Sequence, residues 1–222
     1  MIDSLLRSFG IRTGRYTSPH LEDIRERITI DGDLITPEYF IYTYDDIKPY
    51  IDLVDANSEH PLSYFEVLTA MAYAAFADAP IDVGVIECGV GGAWDATNVI
   101  DADVSVMMPI GLDHMEYLGN TLTEIAQTKA GIIKAGGFIV MAEQKPEAAK
   151  ELLRKAAEVE ADIAREGIEY SLDARAIAVG GLMISINGLN ERYDEIFLPL
   201  HGRHQATNAA SALVAVEAFF GD

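Results

Sequence analysis

Three places in the chain set a hydroxyl, a carboxylate or an imidazole directly behind an apolar run. Ser18-Pro19-His20 follows residues 11–17. Glu87 closes the run 81–88 and leads into Gly89-Val90-Gly91-Gly92. Gly111-Leu112-Asp113-His114 follows residues 104–108. Ligands of an open parallel sheet bind beyond the carboxyl ends of its strands, so these residues are the first to ask about chemistry. Together they offer hard oxygen donors and one imidazole, a set that suits Mg²⁺ or Mn²⁺ better than zinc. The chain has one cysteine, Cys88, so no thiolate pair argues for zinc. Glu87 is the strongest single signal, because a carboxylate ending an apolar strand is costly to bury unless it is paired or metal-bound. His114 alone is equally a ligand or a satisfied core histidine. Ser18 alone reads first as a turn residue, and Cys88 as a small core residue. The Gly-Val-Gly-Gly string lacks the Rossmann spacing and the Lys-Ser/Thr of a phosphate loop, so a tight turn accounts for it equally well. His60 and His201 have no such context and read as surface residues.

The elements that must position these groups are legible in outline. Residues 1–9 read as a helix stopped by Gly10, and 11–17 as a strand. A short strand at 27–30 meets a turn at Asp31-Gly32, and Thr36-Pro37-Glu38 opens a helix. Ser63 and Glu66 have capping-box spacing before Phe65, Leu68, Ala72 and Ala75, which predicts a helix over 63–77. Runs 81–88, 104–108 and 138–141 read as strands buried on both faces. Helices are predicted over 121–133 and 146–160. A hairpin is predicted around Gly180-Gly181. The pattern is an α/β fold: a mostly parallel sheet flanked by helices over about 1–160, antiparallel strands over about 161–203, and a closing alanine-rich helix over 204–220.

Composition bounds the partners. The 222 residues carry 16 Lys and Arg against 36 Asp and Glu, a net charge of −20, and half of them are apolar. This is a soluble globular composition, enough for one large domain or two small ones. Such a charge repels phosphate backbones and anionic lipids, so neither nucleic acid nor a membrane surface is an expected partner. A single cysteine excludes an intrachain disulfide, and no span or export signal is visible, so the expected location is the cytoplasm.

Five strings occur in one order: Tyr16-Thr17-Ser18-Pro19-His20-Leu21; Glu87-Cys88-Gly89-Val90-Gly91-Gly92 with Asp95-Ala96-Thr97-Asn98; Gly111-Leu112-Asp113-His114 with Leu118-Gly119; Lys129-Ala130-Gly131-Ile132; and Gly202-Arg203-His204-Gln205 with Asn208-Ala209-Ala210. In this the chain resembles the folylpolyglutamate synthase/dihydrofolate synthase family of the Mur ligase superfamily, from its first residues to its last helix. The resemblance implies an ADP-forming amide ligase. Such an enzyme activates the carboxylate of a pteroate or folate as an acyl phosphate, which the amine of L-glutamate attacks. ATP and Mg²⁺, one ion or two, are the implied cofactors. Ser18, Glu87 and His114 are the implied metal ligands, with Lys129 as a carbamylated lysine beside them. Phe65 and Asp95 resemble the pterin contacts. Asn208 resembles an adenine contact, with His204 and Gln205 nearby.

Departures accompany the matches. The family's Gly-Lys-Gly phosphate loop and its second domain do not occur in these 222 residues, and Ala93-Trp94 stands where Arg-Leu is common. The expectation is a central ATP-binding domain incomplete at its N-terminus and inactive alone, with an unpaired sheet edge that promotes self-association. Two alternatives stay open: a non-catalytic pterin-binding or regulatory fragment, and a Mur-type ligase for another acid.

Overall fold

The computed structural model describes residues 1–221. The chain divides into two compact units: residues 3–89 with 95–99, and residues 1–2, 90–94 and 100 onward.

The first of these units holds a four-stranded sheet in the order β3-β2-β1-β4. Its strands are β1 (Thr13–Tyr16), β2 (Ile28–Ile30), β3 (Asp33–Leu34) and β4 (Val83–Ile86). β1 and β4 run parallel. β2 and β3 add antiparallel through the predicted turn, where Asp31 and Gly32 both take positive φ. Helix α1 (Ile2–Ser8) precedes β1, and α2 (Pro37–Asn57) starts at Pro37 behind the N-cap Thr36. Helix α3 (Tyr64–Asp78) is closed by the predicted capping box. Glu66 N–H donates to Ser63 Oγ at 3.3 Å and Ser63 N–H to Glu66 Oε2 at 2.7 Å. Its face of Leu68, Met71, Ala72, Ala75 and Phe76 packs with Tyr16, Ile28 and Ile35. Gly14 sits mid-strand because a Cβ there would lie 2.7 Å from the Phe76 ring.

One expectation needs correcting. Residues 81–88 do not form a strand buried on both faces: β4 covers only 83–86, and its side chains are half-buried, with Gly84 exposed. Apolar composition could not show that, among the described residues, β4 lies at the edge of its sheet beside β1.

In the other unit β5 (Val104–Met107), β6 (Phe138–Met141) and β7 (Asp162–Arg165) form a parallel sheet in that order. Alternation along β6 shows why it is apolar throughout. Ile139 and Met141 join Ile125, Ala126 and Leu152 on one face, while Val140 and Phe138 meet Ala206, Ala210 and Val214 on the other. The first face is covered by α5 (Leu122–Lys129) and α6 (Pro146–Glu158), the second by α7 (Arg203–Phe220). Helix α7 also packs against an antiparallel meander, β8 (Ser171–Ala178), β9 (Gly181–Asn187) and β10 (Arg192–Leu198), through Leu182, Ile184 and Ile186. Alanine at its contact positions lets the helix lie close to both sheets. Residues 162–165, expected among the antiparallel strands, pair parallel with β6 instead. The helix predicted over 121–133 ends at Lys129 and continues as a 3₁₀ turn, Ala130–Ile132. Among the described residues no helix is long and apolar enough to cross a membrane.

Candidate functional site

Ser18 and Glu87 lie just beyond the carboxyl ends of the parallel neighbours β1 and β4. The register pairs Tyr16 with Ile86 and so sets both residues at one end of the sheet. The structure brings them together: Ser18 N–H donates to Glu87 Oε2 at 2.9 Å. Glu87 is exposed rather than buried and Ser18 is half-buried beside it. This corrects the burial argument made for Glu87. The carboxylate is held by a backbone donor at a strand end, and no buried charge has to be explained.

Phe65 and Asp95 belong to the same unit. Phe65, in the first turn of α3, lies against the backbone of Gly89, where a Cβ would fall 2.4 Å from the ring. Its centroid is 6.0 Å from that of Tyr16. Asp95 is buried and accepts from Thr97 N–H at 3.0 Å and Thr97 Oγ1 at 2.5 Å. The Tyr73 hydroxyl donates to the Thr97 carbonyl at 2.6 Å. Burial, then the nearby Asp95 charge, pushes the Tyr73 phenol up to about 12, so it stays a donor. Burial likewise raises Tyr16, whose hydroxyl accepts from Thr69 Oγ1 at 3.1 Å. The result is a half-exposed Phe65 ring backed by the buried Tyr16, with a buried carboxylate, Asp95, in the same unit.

The remaining expected residues lie in the other unit. Gln144 pins the segment after β5: its side chain accepts from Ile110 N–H at 2.9 Å and donates to the Met108 carbonyl at 2.9 Å. That segment leads to His114, in the left-handed region at φ 50° at the start of α4 (Met115–Leu118). Its Nε2 is 3.8 Å from Asp113 Oδ2. Lys129 is half-buried at the end of α5. Gly92 and Ala93 dock on this helix end. Ala93 N–H donates to the Thr128 carbonyl at 2.9 Å, and a Cβ on Gly92 would fall 2.9 Å from the Lys129 carbonyl oxygen. Close packing therefore explains Gly92. In the first turns of α7, Asn208 Nδ2 donates to Gln205 Oε1 at 3.4 Å, and His204 is exposed.

Among the described residues no three His, Cys, Asp or Glu side chains gather as a metal site. The expected set contains one carboxylate and one imidazole, completed by a serine and a lysine. Within the first unit the donor chemistry fits a hard cation, since the serine hydroxyl and the carboxylate are oxygen ligands next to each other. Sequence reasoning gives no role to Tyr16, Tyr73 or Thr97, because buried aromatics at helical and strand spacing read simply as core and a lone threonine carries no signal. Glu26 could have been found, since Asp23 and Glu26 share the capping-box spacing of Ser63 and Glu66.

Crossover-linked parallel strands, an antiparallel meander and a closing alanine-rich helix define an α/β domain of the Mur ligase type. The chain belongs to this family: the Mur ligase middle domain matches residues 46–216, more than half of it. It is similar to the dihydrofolate synthase/folylpolyglutamate synthase of Mycobacterium tuberculosis, at 48% identity over 234 residues, covering 100% of this chain and 48% of that protein. The structure of Mycobacterium tuberculosis folylpolyglutamate synthase complexed with ADP and AMPPCP matches with a TM-score of 0.96 at 49% identity, over 99% of this chain and 51% of that one. An FPGS–AMPPCP–folate complex matches with a TM-score of 0.94 at 32% identity, over 98% of this chain and 53% of that one. The chain spans about half the length of the curated relatives it matches. The resemblance and the fold class read from the sequence are both borne out.

Proposed function

We propose that these residues form the central ATP-binding domain of a cytoplasmic ligase that joins L-glutamate to dihydropteroate or to a (tetrahydro)folate, releasing ADP and phosphate. The observation that carries this reading is the half-exposed Phe65 ring, backed by Tyr16, with Asp95 in the same unit. A flat, donor-rich pterin stacks on such a ring and donates to such a carboxylate. The similarity to folylpolyglutamate and dihydrofolate synthases, with AMPPCP and folate bound in one matched structure, supports it.

In this reading Ser18 and Glu87 would be Mg²⁺ ligands, and the family resemblance implies the same role for His114 and for Lys129, carbamylated to give an anionic oxygen donor. The chemistry Mg²⁺ supplies is neutralisation of charge on the transferring phosphoryl oxygens. The chain's own residues orient the substrates. Phe65 and Asp95 fix the pterin end, and the amides of Asn208 and Gln205, with His204, face the adenine edge. Phosphoryl transfer to the substrate carboxylate gives an acyl phosphate, and the glutamate amine displaces phosphate from it. The 222 residues alone are inactive, because no Gly-Lys-Ser/Thr phosphate loop occurs in them.

The test is ADP release with dihydropteroate or folate and glutamate, on the full-length protein and on the 222 residues. The expected result is turnover by the first and none by the second. No turnover by the full-length protein would overturn the function, and turnover by the short chain would overturn its inactivity. Pteroate binding by the short chain without turnover is the outcome expected of a pterin-binding fragment.

A further inference from the structure

The loop that carries Ser18 is held by more contacts than its length requires. Glu26 and Arg27 belong to the 3₁₀ turn Ile24–Arg27 that follows it. Glu26 closes on the loop's far end: Oε2 accepts from Leu21 N–H at 2.7 Å, and Oε1 from Glu22 N–H at 3.0 Å and Asp23 N–H at 2.9 Å. Those three donors hold its carboxyl below the usual 4.5, Leu21 contributing most. Arg27 takes the middle and the near end. Its Nε donates to His20 Nδ1 at 2.9 Å, and its backbone carbonyl accepts from Thr17 N–H at 3.0 Å. Ser18 N–H is already on Glu87. Five of the six backbone N–H groups of residues 17–23 are thus engaged, Pro19 having none.

Arg27 is 8% exposed, and among the described residues it makes no ion pair. A buried guanidinium without a carboxylate is costly. Here the His20 nitrogen, the face of Tyr64, 5.4 Å from ring centroid to guanidinium carbon, and a hydrogen bond to the buried Tyr16 hydroxyl offset that cost. The Tyr16 bond anchors Arg27 to the core, while the other two contacts lie outside it. The contacts to His20 and Tyr64 fix the course of the chain between Tyr16 and Asp23, and on that course the half-buried Ser18 meets the exposed Glu87 carboxylate. Preorganised ligands bind more tightly because their ordering entropy is spent at folding.

We propose that Glu26 and Arg27 are positioning residues, which hold the Ser18 hydroxyl in register with the Glu87 carboxylate so that both oxygens face one divalent cation before it arrives. The inference rests on the metal site of the function proposed above.

The test measures Mn²⁺ affinity of the full-length protein from the free-ion electron paramagnetic resonance signal. Outer residues that orient metal ligands change affinity about 10–100-fold. Glu26→Ala and Arg27→Met are expected to weaken Mn²⁺ binding by about that factor. Glu26→Gln is expected to fall between, because its remaining oxygen still accepts from Glu22 and Asp23 while its NH₂ opposes the Leu21 donor. It also keeps the test decisive if the alanine variant fails to fold. Thr36→Ala removes the cap of α2, lowers stability without touching the loop, and is expected to leave Mn²⁺ affinity unchanged. Wild-type affinity in Glu26→Gln and Arg27→Met would overturn the positioning role and leave the ligase reading standing. An equal loss in Thr36→Ala would reduce the effect to general stability and overturn the role too. No Mn²⁺ binding by the wild type would overturn the metal site itself, and the positioning role with it.

Discussion

Gly131→Ala tests how closely the chain segments around Lys129 are packed. A Cβ built on Gly131 falls 2.3 Å from Ala93 Cα, 2.4 Å from Ala93 Cβ and 2.6 Å from Ala93 N. These are backbone neighbours rather than the far end of a flexible side chain, so the two segments must part by about 1 Å to relieve the overpacking. That movement stretches the Ala93 N–H to Thr128 carbonyl bond, now 2.9 Å, beyond hydrogen-bonding range. Overpacking costs roughly 1–3 kcal/mol and a lost hydrogen bond roughly 0.5–1.5 kcal/mol, so the expected loss is about 2–4 kcal/mol. For a chain of this size that lowers Tm by about 5–15 °C. Urea unfolding, with Gly111→Ala as the control, measures it: nothing lies within 4 Å of a Cβ at Gly111. A Gly131→Ala protein within about 0.5 kcal/mol of wild type would refute the reasoning, since that is the range of an innocuous surface change.

Two further outcomes are expected. The phenols of Tyr73 and Tyr170 are pushed up to about 12, first by burial. A raised folded pKa stabilises fully below the unfolded value of 10.0 and loses that contribution as pH climbs toward about 12. Absorbance at 295 nm should therefore show late-titrating tyrosines in that window, and complete ionisation of the native protein near pH 10 would contradict it. Ser63→Ala removes the hydroxyl of the α3 capping box and should lower stability by about 1 kcal/mol. Restoration of that loss by Ser63→Thr, read by urea midpoint, checks the assignment to the cap.

The parts of the fold legible in the sequence are those with local causes. Ser63 with Glu66 announced a helix start, and that box is present, while the helix predicted from residue 121 opens on a second box of Thr121 and Glu124. The apolar run of β6 announced a strand covered on both faces, and it is one. What escaped was set by neighbours far along the chain. β7, Asp162-Ile163-Ala164-Arg165, has charged ends and one fully buried residue, so nothing local marks it as parallel. β10 is broken by an irregular register between Tyr193 and Ile196, with Glu195 at φ 55°, which hides its alternation. In the site, Ser18 and Glu87 were legible as strand-end polar residues, and the structure joins them. Arg27 left no signal, because its work depends on His20 and Tyr64, which only the fold brings near.

The double-sided burial of α7 has a consequence for synthesis. One face of the parallel sheet is covered by the helix at residues 203–220, while β6 is complete at residue 141. A ribosome adding about 5–20 residues per second needs several seconds for the intervening stretch. For that time Val140 and Phe138 have no helix over them, and the meander of β8 to β10 emerges without its own apolar backing. The nascent chain thus presents two uncovered apolar surfaces at once, and a single late helix closes both. Chaperone dependence during translation should follow from this, and should ease when the rate of elongation through residues 142–202 is raised.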